Sequence, residues 1–285
     1  MKKVVKNLAG LAVLAMLLGT ISAAQQQGQQ QSGQQQGQQQ QGQPPAQPAQ
    51  PEPPAVNPAE EADYKAFLAI PRSDMDKQVA AGEEFLKKWP ESRGREFIYG
   101  RLATIAYSRG QADKAIAYSE KGLVVNPDNL DMLSIMANVL PRRANPNALD
   151  FSEKLAKAEQ YSKRAIELIA ALTKPETLTE EEFAAAKNMK LSMCHSGLGV
   201  IYFHKQRFGE SATELEQATQ IVNPPDPTDL YVLGVAYSNQ KRYAEAASTF
   251  DKCSAISWSL QENCKQGAAE AKKLAASKPQ PPKQQ

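Results

Sequence analysis

The strongest constraint on this chain is a short pattern that recurs four times at a nearly fixed period. In each copy a large apolar residue precedes a small one, and a second segment then supplies further small residues. The clearest copies are Leu198-Gly199-Val200-Ile201-Tyr202, followed by Ser211 and Ala218, and Leu233-Gly234-Val235-Ala236-Tyr237, followed by Ala246 and Cys253. Two degenerate copies precede them. Leu102-Ala103 leads to Ala115 and Gly122, and Met136-Ala137 leads to Ala158 and Ala165. Ala103 and Ala137 are 34 residues apart, and Gly199 and Gly234 are 35 apart. Such a period belongs to stacked helix pairs, each of which buries its apolar side only against its neighbours. Two antiparallel helices joined by a short turn approach closely only where side chains are small. The pattern therefore sets Ala103, Ala137, Gly199 and Gly234 opposite Ala115, Ala158, Ser211 and Ala246. Larger residues one turn away, at spacings of three and four, fill the groove between successive pairs.

These residues resemble the tetratricopeptide repeat family over roughly Glu96 to Ile256. The last copy follows the family order through Leu230, Leu233, Gly234, Tyr237, Ala246, Phe250 and Cys253. The third follows it through Leu198, Gly199, Tyr202, Ser211, Leu215 and Ala218, with an exit at Pro224. The first has Tyr99, Leu102, Ala103, Ala115, Gly122 and Pro127, but Ala106 stands where the family prefers tyrosine. The second departs most. Ala137 and Ala158 are 21 residues apart where the first and last copies show 12, which predicts about nine extra residues in the inter-helix turn, with Pro141, Arg142-Arg143 and Pro146 among them. The resemblance implies an all-α, right-handed superhelical solenoid of stacked antiparallel helix pairs with a disordered N-terminal linker.

The chain divides accordingly. Residues 1–24 read as a secretory signal: Lys2, Lys3 and Lys6 precede an apolar run from Leu8 to Leu18, and Gly19 to Ala24 supply small residues for cleavage after Ala24. The run is shorter than the roughly 20 residues that span a bilayer, so no integral membrane span is expected after cleavage. No cysteine at the cleavage site supports a lipid anchor. Residues 25–58 form a Gln/Gly-rich and then Pro-rich linker, too poor in apolar side chains to offset the entropy of ordering. Residues 59–276 are the solenoid: an atypical pair over 59–92, repeats at about 96–129, 130–172, 190–224 and 227–256, and a capping helix over 258–276, about eleven helices in all. Residues 277–285 are a disordered tail. The lysine-rich start and the repeat class place the protein outside a bacterial cytoplasm, in the periplasm or secreted.

Charge excludes a further class. The formal net charge of +2 includes the three lysines of the signal, so the mature chain is close to −1 and has no net attraction for nucleic acid or anionic lipid.

Catalytic patterns are lacking. The two histidines, His195 and His204, are nine residues apart, which on a helix points them about 180° from one another. Neighbouring Cys194 and His195 diverge by about 100°. The chain carries no Gly-rich phosphate loop, serine elbow or HExxH. Glu180-Glu181-Glu182 after Thr179 reads as the first turn of a helix. No enzyme activity, metal or cofactor is expected.

Cys253 and Cys264 are eleven residues apart, at the end of the last repeat and on the capping helix. In an oxidising compartment a cap folded back would let them bridge. Alternatively, Cys253 is only the small residue its position requires.

The resemblance implies a partner-binding concave face lined by the first helix of each pair. That places Phe97, Thr104, Tyr107, Ser134, Asn138, Ser196, Val200, Phe203, His204, Tyr231, Val235, Ser238 and Asn239 on it, an aromatic and amide surface for an extended peptide or a helix. Family members that clamp C-terminal carboxylates use a lysine–asparagine set there, whereas Gly100 and Ser196 occupy the lysine places here. The expected function is a non-enzymatic scaffold for a protein or peptide partner in a bacterial envelope assembly. Two alternatives stay open: self-assembly driven by the Gln-rich tract, and binding of a cell-wall polymer. Oligomeric state is not written in these residues.

Overall fold

The computed structural model describes residues 57–277. The signal segment, nearly all of the Gln/Pro-rich tract and the tail after Ser277 lie outside the described residues. Within them the chain forms α1 (Pro58–Ala69), α2 (Met75–Lys88), α3 (Arg95–Ser108), α4 (Ala112–Val125), α5 (Leu130–Arg143), α6 (Phe151–Ala170), α7 (Glu180–His204), α8 (Phe208–Ile221), α9 (Pro227–Asn239), α10 (Tyr243–Ser254) and α11 (Gln261–Ser277).

Local chemistry starts five of these helices. Asn57, Asp74, Asn129 and Asp226 accept hydrogen bonds from the exposed backbone N–H groups of α1, α2, α5 and α9, and Pro58 and Pro227 occupy first-turn positions that need no donor. At α7 the Glu182 N–H donates to Thr179 Oγ1 (3.1 Å) while the Thr179 N–H donates to Glu182 Oε2 (3.0 Å), a reciprocal capping box.

The turns inside three pairs repeat one geometry. Seven residues after each small residue stands a left-handed residue: Gly110 (φ 67°), Gln206 (φ 57°) and Lys241 (φ 60°). The next N–H in each reaches back 2.9 Å to a helix carbonyl, of Ala106, Tyr202 and Tyr237 respectively. That pattern closes a helix C-terminus. Tyr202 and Tyr237 also hold Arg207 and Arg242 over their rings, at 4.6 and 4.2 Å from the centroids. The first pair has Ala106 and Gln111 at these places and so lacks the contact.

The second pair is built differently, and the expected insertion is corrected. Pro141, Arg142 and Arg143 lie in the last turn of α5 rather than in a loop. The extra residues are shared between a longer turn over 144–150, an N-terminal extension of α6 and one added residue in α5. One further boundary differs from expectation: α11 begins at Gln261, leaving Trp258 and Leu260 outside the helix. α7 begins at Glu180, as the acidic run after Thr179 predicts, and continues unbroken into the third repeat.

Paired helices pack together as α3/α4, α5/α6, α7/α8 and α9/α10, while α3 also touches α5, α5 touches α7, α7 touches α9 and α9 touches α11. The first helices thus stack on one another along the solenoid, and α11 takes the place that the first helix of a further pair would occupy. Gly267 strengthens that equivalence. It follows Gly234 by 33 residues, and both glycines face the ring of Phe250, where an added Cβ would come within 3.0 Å. The three largest apolar clusters follow one another along the described residues, from Phe67, Phe85, Ile98 and Leu102, through a central group around Met132, Met136, Ile169 and Ile201, to Leu215, Leu233 and Phe250. Such a core has neighbour contacts only. Cys253 and Cys264 form a disulfide with a Cα–Cα distance of 5.8 Å, tying α11 to α10.

Candidate functional site

The stacking of first helices sorts the thirteen candidate groove residues into two groups. Ser134, Asn138, Ser196 and Val200 are buried. As partner contacts they are corrected: they offer no open surface, and Asn138 and Ser196 bond to each other across α5 and α7. Ser134 Oγ donates to the Leu130 carbonyl at 2.7 Å.

Asn138 and Ser196 belong to a polar cluster that joins α5, α7 and α9. Arg142 Nη2 donates to Asp229 Oδ1 at 2.6 Å and also to Ser196 Oγ. Ser196 Oγ in turn donates to Asp229 Oδ1 at 2.7 Å. Arg142 Nη1 donates to the Asn138 carbonyl (2.8 Å), and Asn138 Nδ2 donates to Ser196 Oγ (3.3 Å). Tyr107, on α3, donates its hydroxyl to Asn138 Oδ1 at 3.3 Å. Burial pushes the Asp229 carboxyl up to about 6, against the pull of the Arg142 charge, and raises the Tyr107 phenol as well. Sequence reasoning missed Asp229 and misplaced Arg142. The signal that was available is a cation at a helix end paired with an acid 87 residues later, which no local pattern connects.

The remaining residues keep some exposure. Phe97 meets Tyr64 and Phe67 edge-on, at 6.3 and 6.4 Å, and Tyr231 leans on Phe250 and Trp258, at 6.0 and 6.3 Å. Both are packing residues with one open side. Phe203 is edge-on to Phe208 at 5.6 Å, and His204 to Phe151 at 5.3 Å. Burial lowers the His204 pKa, opposed by a hydrogen bond to the Pro141 backbone. Thr104 and Ser238 turn their hydroxyls back to their own helices, on Gly100 and Gly234. Val235 is partly buried, and Asn239, which donates to the Val235 carbonyl, is exposed. An open strip thus runs over Phe203, His204, Val235, Ser238 and Asn239 on α7 and α9, while Thr104 and Tyr107 on α3 are set apart from it by α5, whose residues 132–141 are buried.

Elsewhere the reactive side chains are committed. His195 Nδ1 lies 2.7 Å from Glu214 Oε2. The Cys194 thiol is buried and pushed up to about 12, so it offers no thiolate near neutral pH. Among the described residues no group of three or more His, Cys, Asp or Glu could hold a metal ion. No described helix is long and apolar enough to cross a membrane.

Among known families, the tetratricopeptide repeat model matches residues 230–257, the copy that follows the pattern best. No curated protein matches the chain. Similar solved structures include a thermophilic tetratricopeptide-repeat protein from Thermus thermophilus, at 16% identity and a TM-score of 0.42, covering 74% of this chain and 98% of that one. PilW, a type IV pilus biogenesis factor, is 16% identical with a TM-score of 0.46, covering 78% and 94%. PilF of Pseudomonas aeruginosa is 13% identical with a TM-score of 0.45, covering 77% and 93%. The chain is a tetratricopeptide-like helical repeat protein.

Proposed function

We propose that this protein is an exported, non-enzymatic scaffold that binds a peptide or protein partner along the concave face of its first helices, within a bacterial envelope assembly. The observation that carries the reading is the open strip itself. Aromatic, amide and hydroxyl groups from the adjacent helices α7 and α9 lie partly exposed on helices whose backbones are fixed by close packing, an arrangement suited to an extended chain or a helix laid across them. Export is supported by the charged, apolar and small-residue order of residues 1–24, and by the Cys253–Cys264 bridge, since disulfides persist in oxidising compartments.

The test is affinity capture from envelope extract with the mature chain as bait, against a bait carrying Phe203→Ala and Asn239→Ala, whose native helicity is checked first. The reading requires a partner captured by the first bait and lost from the second. Equal capture by both baits would move function away from this strip, to the Gln-rich tract or to the outer helices.

A further inference from the structure

Two arginines near the start of the solenoid stand out for what they lack. Arg101 lies in the middle of α3, one turn from Phe97 on one side and from Thr104 on the other, so it shares their strip of the helix. Its Nε donates to Gln78 Oε1 at 2.6 Å, and one Nη donates to the Arg72 carbonyl at 2.9 Å. Arg72 sits in the α1–α2 turn. Both side chains are partly buried, and among the described residues neither has a carboxylate within 4.0 Å. The other partly buried arginines each have one: Arg95 with Glu91 at 2.7 Å, Arg142 with Asp229 at 2.6 Å and Arg242 with Glu245 at 2.5 Å.

The neighbouring acid is already taken. Asp131, in the first turn of α5, acts electrostatically on both arginines but forms its ion pair with Lys190 of α7. Three cations therefore share one carboxylate, and the Arg72 guanidinium makes no hydrogen bond among the described residues. Burial holds both guanidiniums below their ordinary pKa, and the charge of Arg72 lowers Arg101 further. Partly desolvated charge of one sign is costly until an anion pairs with it.

We propose that Arg72 and Arg101 are the docking point for internal aspartate or glutamate side chains of an extended peptide partner. This rests on the reading that the partner lies along the first helices, and it names the partner's chemistry. Charge complementarity selects an acidic segment, and the partly exposed Thr104 lies one turn from Arg101 on the same side of α3. The terminal-carboxylate clamp is not the mode, because Gly100 and Ser196 stand where its lysines would be.

The test uses the full mature chain and short fluorescein-labelled peptides with amidated C-termini, one alternating glutamate with alanine and one alternating glutamine with alanine. Fluorescence anisotropy is read at about 0.1 M salt, where charges more than about 10 Å apart are largely screened. The glutamate peptide is expected to bind about tenfold more tightly, and Arg72→Gln to remove about that factor, as a charge-assisted pair predicts. Arg101→Lys should retain part of the preference, and Lys272→Gln on α11 should leave it unchanged. Arg72→Gln is the informative variant because its guanidinium supports no hydrogen bond that the fold needs.

Equal affinity for the two peptides, or a preference that survives Arg72→Gln, overturns the proposal. So does displacement of the glutamate peptide by equimolar sulfate, which would reveal a small-anion site. If Phe203→Ala with Asn239→Ala loses an envelope partner that Arg72→Gln still captures, the groove stands and only this docking point falls.

Discussion

Gly197 fixes how closely α7 lies against α5, and its replacement by alanine isolates that contact. A Cβ at this position would overlap the Ala137 carbonyl oxygen and come within 3.4 Å of the Asn138 nitrogen. These are backbone atoms of a packed helix and cannot rotate away. Alanine gains about 1 kcal/mol in helix propensity over glycine. Forcing a methyl group into a filled contact costs about 1–3 kcal/mol, and an immovable backbone places this site at the upper end. The net expectation is a loss of about 2 kcal/mol, or a fall in Tm of about 4–8 °C for a chain of this size. Gly209 is the internal control. It lies in the first turn of α8 with nothing within 4 Å of its would-be Cβ, so alanine there should raise Tm by about 1–3 °C. Far-UV circular dichroism melts of the two variants and the parent decide the matter. A Gly197→Ala variant that melts at or above the parent would refute the claim that this glycine is required for helix approach.

Three other outcomes follow from the same structure. Asp229 has a folded pKa of about 6 against an ordinary 3.8. The fold therefore holds its proton to higher pH than the unfolded chain does, and the stability this group contributes in acid is lost as pH rises through that window. Asp229→Asn should remove that component from a urea-unfolding pH series, and an unchanged slope between about pH 4 and 6 would contradict the burial argument. Cys264→Ser opens the bridge to Cys253; closing a loop of this length is worth about 3 kcal/mol, so hydrogen exchange should quicken in α11 while α5 and α7 stay protected. Gln206 adopts a left-handed φ of 57° where the first pair has glycine. Gln206→Gly should therefore gain about 0.5–1 kcal/mol, read as a higher denaturation midpoint.

Much of the architecture was legible because it is locally encoded. The small residues at Ala103, Ala137, Gly199 and Gly234 mark helix approach within each pair, and caps such as Asp74 and Thr179 act over three residues. The open strip over Phe203, Val235 and Asn239 was likewise readable from helical spacing. What failed was anything set by packing between pairs. Ser134, Asn138, Ser196 and Val200 share the face of the strip residues but are buried, and only tertiary packing decides which positions are covered. Arg142 looked like a loop residue because the nine residues added between Ala137 and Ala158 were assigned to the inter-helix turn, yet α5 continues through it to deliver the guanidinium to Asp229, 87 residues downstream. The sequence by itself determined the repeat, its helices and its turns, since these depend on contacts a few residues apart. The tertiary structure alone decided which polar groups are buried together and which cations, Arg72 and Arg101, are left without a carboxylate, because desolvation and ion pairing are properties of neighbours in space.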